Sequence, residues 1–207
     1  MSDYLHKIDT FLKKDLSKIN NPQIVEFGVR EGRSTKLFLD LCDRNNGKLF
    51  SVDIDDYSNL FTNKNWKFIK SRDDNFDFLE NILPKEIDII YLDSLHEADH
   101  VEKIFYHYFK KLKINGYFFI DDISWVPYLK TEERNNFYCE INNKETFEKI
   151  LSIYSSNQNN FDLEFSFISS GMCKIIKKND HLNLQKKLIF RSDSIKNYLR
   201  KIIKLFK

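Results

Sequence analysis

Apolar positions along this chain fall into short runs separated by longer stretches in which they recur every three or four residues. The runs are IVEF from Ile24, KLFSVDI from Lys48, IDIIYLD from Ile87 and GYFFID from Gly116. Between them, segments 34–42, 74–83 and 100–112 have helical spacing, and WKFIK at 66–70 stands within a loop. Strand and helix alternating in this way predict an α/β fold of the Rossmann-like, doubly wound kind: a mostly parallel sheet with right-handed crossovers and helices on both faces. Ahead of the first run, Tyr4, Leu5, Ile8, Leu12 and Leu16 follow the cap-type residues Ser2 and Asp3, and Asn20-Asn21-Pro22 ends the pattern, so a helix is expected over 3–18.

Past Asp122 the rhythm breaks. A polar and aromatic stretch, ISWVPYLKTEERNNFYCEINN, leads to a helical run over 144–154, and 123–146 reads as a long loop of the lid type. Trp125, Tyr128, Phe137 and Tyr138 are its candidates to pack a sugar or aromatic face, or to serve as hinge packing. FDLEFSFIS and MCKIIKK, divided by Ser170-Gly171, predict two strands joined by a tight turn and hence an antiparallel pair at the sheet edge. The core domain is expected to span 1–179, followed by a tail, 180–207.

Charge separates these two parts. Formal net charge is +2, yet 180–207 carries eight Lys or Arg against two Asp, a local +6 that leaves about −4 on residues 1–179. The body has no cationic field for a phosphate backbone, which argues against nucleic acid as a partner. In the tail, Ile195, Tyr198, Leu199, Ile202, Ile203 and Phe206 recur at helical spacing among Lys196, Arg200, Lys201, Lys204 and Lys207, a basic amphipathic helix over 194–207. Its stripe suits docking on the body or on a second subunit in a homo-oligomer, or peripheral contact with an anionic membrane. Three scattered cysteines, Cys42, Cys139 and Cys173, form neither a disulfide framework nor a zinc pattern, and no run approaches a membrane span, so the expected location is cytoplasmic, with membrane association through the tail as the variant.

In open parallel sheets ligands bind beyond the carboxyl ends of the strands, so the residues after each run carry the chemistry. After the first run come Glu26-Phe27-Gly28-Val29-Arg30-Glu31-Gly32-Arg33-Ser34-Thr35, where Gly28 and Gly32 allow a sharp turn close to a ligand and Ser34 or Thr35 opens a helix. GxGxxG is absent and Glu31 stands where a pyrophosphate would lie, which disfavours dinucleotides. Asp53 ends the second run and suits ribose hydroxyls; Asp73, within Ser71-Arg72-Asp73-Asp74, is a candidate for the adenine edge. The runs IDIIYLD and GYFFID, with the residues just after them, deliver Asp93, His96, Asp121 and Asp122 to one sheet edge. Such oxygen donors suit Mg²⁺, whereas zinc would want a second His or a Cys.

Together VEFGVREGRST, FSVDID, IIYLDSLHEADHV and NGYFFIDDI resemble the class I S-adenosylmethionine-dependent methyltransferases, in the branch of macrocin-type sugar O-methyltransferases and relatives of catechol O-methyltransferase. The resemblance spans about 22–123 and implies a seven-stranded sheet whose last strand inserts antiparallel. It implies S-adenosylmethionine as cofactor, with Glu26, Gly28 and Gly32 around its methionine part and Asp53 on the ribose; Ser34, Asp73 and Asp93 complete the expected cofactor contacts. It further implies Mg²⁺ on Asp93, Asp121 and Asp122, with His96 as base and a small-molecule or glycan hydroxyl as acceptor. Catechol-type enzymes carry Asp-Asn where this chain has Asp122-Ile123, so its metal site would follow the sugar branch. Two other readings stay open: a metal-independent methyltransferase acting on a nitrogen or carboxylate, and a cofactor-binding module without catalysis that is recruited by its tail.

Overall fold

The computed structural model describes residues 3–124, 137–189 and 194–206. In chain order the elements are α1 (Asp3–Phe11), α2 (Lys13–Leu16), β1 (Gln23–Phe27), α3 (Arg33–Asn45), β2 (Lys48–Asp53), β3 (Trp66–Lys70), α4 (Phe76–Glu80), β4 (Ile87–Leu92), α5 (Ala98–Tyr108), β5 (Leu112–Asp121), α6 (Phe137–Ser155), β6 (Phe161–Ser166), β7 (Met172–Lys177) and α7 (Ile195–Leu205). The strands form one seven-stranded sheet in the order β3-β2-β1-β4-β5-β7-β6. β7 runs antiparallel to both of its neighbours, β5 and β6, and the other pairings are parallel.

Why the strand runs are almost wholly apolar follows from the alternation of side chains across a pleated sheet. In β4, Ile90 and Leu92 enter the layer built with α4, α5 and α6, while Ile89 and Tyr91 enter the layer built with α2 and α3. In β5, Phe118 and Ile120 go to the first layer and Phe119 to the second. The first layer is rich in rings, with Phe105 packing against Phe109, Phe118 and Phe161 at centroid distances of 5.1 to 5.7 Å. Ile8, Leu12 and Leu16 are buried as their spacing demands, although the helix expected over 3–18 breaks at Leu12 into α1 and α2.

Two boundaries differ from the sequence reading. Residues 137–146, expected as the second half of a loop, belong to α6, whose buried Asn143 donates to the Ser124 carbonyl at 3.1 Å. The polar residues of that segment hid a helix that Asn143 ties to the end of the sheet. The body also continues past Asn179. Residues 180–189 cross α5 and α6, where the Tyr106 hydroxyl donates to the Asn183 carbonyl and the Ser152 hydroxyl contacts Gln185 Oε1 and the Lys186 carbonyl at 2.6 Å each. Buried Asn157 ties this strap down, donating to the Ile153 and Asn183 carbonyls and accepting from the Asn183 N–H and the Asn160 amide.

Under the loop that leaves β1 lies a buried carboxylate. Glu26 Oε1 accepts from the Ser34 hydroxyl at 2.6 Å, and its Oε2 accepts from Thr35 at 2.9 Å and Ser51 at 2.6 Å. The Trp66 indole N–H in turn donates to Ser51 Oγ. This brace joins β1, β2 and β3 to the first turn of α3. Burial outweighs the three hydroxyl donors and pushes the Glu26 carboxyl up to about 7.

Two consequences can be measured. Asn157→Ala strands the backbone groups of the strap and should cost about 1–3 kcal/mol in urea denaturation; an unchanged midpoint would mean the strap is held by other contacts. Because the Glu26 carboxyl is raised in the folded state, its contribution to stability is full below its unfolded value near 4.5 and is lost as pH rises through about 7. Thermal melts should therefore lose up to about 3 kcal/mol of stability between roughly pH 5 and pH 8, and Glu26→Gln should flatten that slope. Parallel pH profiles for the two proteins would show that the brace is ionised at both ends of the range.

Candidate active site

β1 and β4 end side by side, and the turn at Gly28 brings the two ends into contact. Gly28 takes φ +94°, its N–H donates to the Val52 carbonyl, and the Asp93 N–H donates to the Phe27 carbonyl at 2.8 Å. A Cβ on residue 28 would run into the Asp93 peptide, whose carbonyl carbon would lie 2.6 Å away. Gly32, at φ +71°, caps α3, and there a Cβ would strike the ring of Phe61. The cap of α3 is thus a left-handed glycine, while Ser34 and Thr35 sit inside the first turn and reach down to Glu26.

A cleft of about 450 Å³ opens along this edge between the ends of β1, β2, β3 and β4. Gly28, Asp53, Asp73, Asp93, Ser94 and His100 all lie on its wall. A recess of about 300 Å³ continues from it past Val29 and Arg30 to Ser34, and Asp93 borders both. Of the residues expected around a methionine group, Gly28 and Ser34 line these spaces, whereas the Glu26 carboxylate is spent on the brace beneath them. Asp53 Oδ2 accepts from the Val29 N–H at 2.7 Å and its Oδ1 from the Asp55 N–H at 3.1 Å, so this carboxylate is fixed at the cleft wall by backbone donors. Asp73 takes the Ser94 hydroxyl and lies 2.9 Å from His100 Nε2, which locks the loop after β3 to the loop after β4.

The acids of β4 and β5 divide in two. His96 Nε2 lies 3.5 Å from Asp93 Oδ1 and 3.4 Å from Asp122 Oδ2, and the ligand atoms of these three residues all fall within 4.8 Å of one another. Asp121 is not a member of that group. It is buried, ion-paired with the buried ammonium of Lys7 from α1, and accepts from the Tyr91 phenol at 2.6 Å. Pleating explains the split: adjacent strand residues face opposite sides, so Asp121 follows Phe119 toward α1 and α3. Asp122, just past the strand, takes φ +55°, a left-handed turn that Asp tolerates better than most residues, and it joins Asp93 and His96. Of the two acids expected at the metal, the structure groups Asp122 with Asp93 and His96 and pairs Asp121 with Lys7. Removal from water and the nearby Asp121 and Asp122 carboxylates hold the Asp93 carboxyl well above its ordinary range, with Lys7 opposing.

Lys7, Tyr91, Ser94 and His100 escaped sequence reasoning. Lys7 gave one hint, its place beside Ile8 on the apolar side of α1; Tyr91 reads as an ordinary strand aromatic, and His100 as a surface residue of α5. Trp125 and Tyr128, the expected acceptor-packing aromatics, lie outside the described residues, as do the side chains of Phe137 and Tyr138.

Residues 25–123 match the family model described as a methyltransferase domain. Among solved structures, the chain is similar to a Staphylococcus aureus protein assigned as a caffeoyl-CoA O-methyltransferase (TM-score 0.61, 19% identity, 80% of this chain and 81% of that one). It is also similar to MycE, a methyltransferase of the mycinamycin biosynthetic pathway in complex with Mg and SAH (TM-score 0.62, 19% identity, 85% of this chain and 49% of that one). A third is the SAH-bound Podospora anserina methyltransferase PaMTH1 (TM-score 0.58, 14% identity, 86% of each chain). At these identities the likeness is one of fold, and this chain spans about half the length of MycE. No match is found among curated proteins. Over residues 25–123 the chain thus matches a methyltransferase domain, carried on the seven-stranded sheet and the glycine turn described above.

Proposed function

We propose that the protein methylates a hydroxyl of a small molecule or sugar, with S-adenosylmethionine in the cleft and recess and a divalent cation of the Mg²⁺ type held by Asp93, His96 and Asp122. One observation carries this reading: Asp93 lines both the cleft and the recess and is also a member of the three-donor group. The donor set fits the ion. Two carboxylates and an imidazole gather their ligand atoms within 4.8 Å and leave further positions of an octahedron to water and acceptor. When bound, the cofactor supplies an electrophilic methyl group and the cation a Lewis acid that lowers the pKa of an acceptor hydroxyl.

The protein's own part is positioning. Asp53, its carboxylate already oriented by backbone N–H groups, would receive ribose hydroxyls at the far end of the cleft. The Gly28–Gly32 turn keeps backbone rather than side chain next to the methionine part, and the Glu26 brace keeps that turn seated on α3. Lys7 neutralises Asp121, so two carboxylates and not three face the cation. His96 has its Nε2 between Asp93 and Asp122, which favours a ligand over a free base. MycE, solved with Mg, SAH and mycinamycin VI, supports a small-molecule acceptor by analogy of fold.

Calorimetry with S-adenosylhomocysteine tests the cofactor half. Asp53→Ala should weaken binding by roughly 1–3 kcal/mol, and equal affinity would remove Asp53 from the site. Transfer of labelled methyl to a panel of phenols and sugars tests the rest: EDTA should abolish it and Mg²⁺ restore it. Full activity in EDTA would eliminate the cation, and tight cofactor binding without transfer to any acceptor would favour a non-catalytic module. His96→Ala should recover with excess Mg²⁺ if His96 is a ligand; a deficit of about 10²–10⁴ that persists at saturating Mg²⁺ would make it the base.

A further inference from the structure

Helix α7 is built unlike every other helix of the described residues, because none of its side chains is buried. Ser194 caps it, its hydroxyl accepting from the Asn197 N–H, and the apolar residues range from 36% exposed at Ile202 to 81% at Leu205. At about 100° per residue, Ile195, Tyr198, Leu199, Ile202, Ile203 and Leu205 share one unbroken arc of roughly 160°. Lys196, Asn197, Arg200, Lys201 and Lys204 fill the remainder, and the helix has no acidic residue. An isolated helix of this length is marginal in water, so its order calls for a surface against the stripe.

Charge decides which surface. Lys196 borders the stripe beside Ile203, and Lys201 borders it beside Leu205. Both apolar margins are therefore cationic, the arrangement in which lysine stems lie along an apolar phase while their ammonium groups reach an anionic plane. No helix of the described residues is long and apolar enough to cross a membrane, so the contact would lie in the plane of the surface. We propose that α7 is an in-plane anchor for anionic lipid bilayers, binding with its stripe at the acyl boundary and Lys196, Arg200, Lys201 and Lys204 among the headgroups. An anchor of this kind would hold the active site near acceptors that are themselves membrane-linked.

The test is cosedimentation of the full chain with vesicles of phosphatidylcholine plus phosphatidylglycerol, and with phosphatidylcholine alone. Binding is expected to the anionic vesicles, to fall steeply with salt, and to be accompanied by a gain in helical circular dichroism. Leu199→Asp with Ile202→Asp should abolish it, and Lys201→Glu with Lys204→Glu should weaken it by at least about tenfold. All four positions are on an exposed helix, so S-adenosylhomocysteine affinity should be unchanged and serves as the folding control. Absence of binding by the full chain, equal binding to neutral vesicles, or wild-type binding by the Asp variant would overturn the proposal. So would a concentration-dependent dimer in sedimentation that the Asp variant dissolves while vesicles bind neither protein, since the stripe would then belong to a second copy.

Discussion

Everything at the working edge of this protein depends on how closely the ends of β1 and β4 approach. Residue 28 abuts the Asp93 peptide so tightly that a single added carbon would collide with it. That contact is possible for glycine alone, which also accepts the φ of +94° at no steric cost. It sets Asp93 at the junction of three spaces: the cleft toward Asp53, the recess toward Ser34, and the donor group with His96 and Asp122. A cofactor in the first two and an acceptor near the third would necessarily meet at one carboxylate.

Such an edge gathers negative charge, and the fold handles each carboxylate differently. Glu26 is buried, and burial outweighs its three hydroxyl donors and lifts its carboxyl to about 7. Asp121 is buried with the ammonium of Lys7, a pairing whose disruption ordinarily costs about 3–5 kcal/mol because it leaves a charge stranded. Surface pairs such as Lys103 with Asp74 or Lys149 with Asp99 are worth about 0–1 kcal/mol by comparison. The N-terminal helix is thus held against the sheet by the same ion pair that withdraws Asp121 from the donor group. Asp93 and Asp122, each about a quarter to a third exposed, are what remain for a cation.

Much of this was legible in the sequence because strands and glycine turns are local. The four parallel runs, the hairpin at 161–177 and the reversed last strand follow from periodicity together with the family resemblance, and the structure has all of them. Asp53, Asp73 and Asp93 reach the cleft as expected, since a residue at a strand's carboxyl end has little choice of destination. What was not legible depends on pairings distant in sequence. That Lys7 would be buried against Asp121, 114 residues away, is written in no local pattern. Which of two adjacent aspartates would turn toward His96 depended on where β5 ends and on one left-handed residue, details finer than strand patterning resolves. The resemblance implies Glu26 beside the methionine part, and no local pattern announces the brace that Ser34, Thr35 and Ser51 form on it. The polar start of α6 and the strap 180–189 were missed for a related reason: single polar contacts, from Asn143 in one and from Tyr106, Ser152 and Asn157 in the other, help fasten them without a periodic apolar stripe.

The central claim is that one carboxylate, Asp93, serves both cofactor and cation. Anomalous diffraction from crystals grown with Mn²⁺ and S-adenosylhomocysteine tests it most directly. The account predicts a single strong peak bonded to Asp93, His96 and Asp122, beside a cofactor whose ribose meets Asp53 and with Lys7 still paired to Asp121. A peak bonded to Asp121 with Lys7 displaced, or an ordered cofactor with no metal at that group, would contradict it.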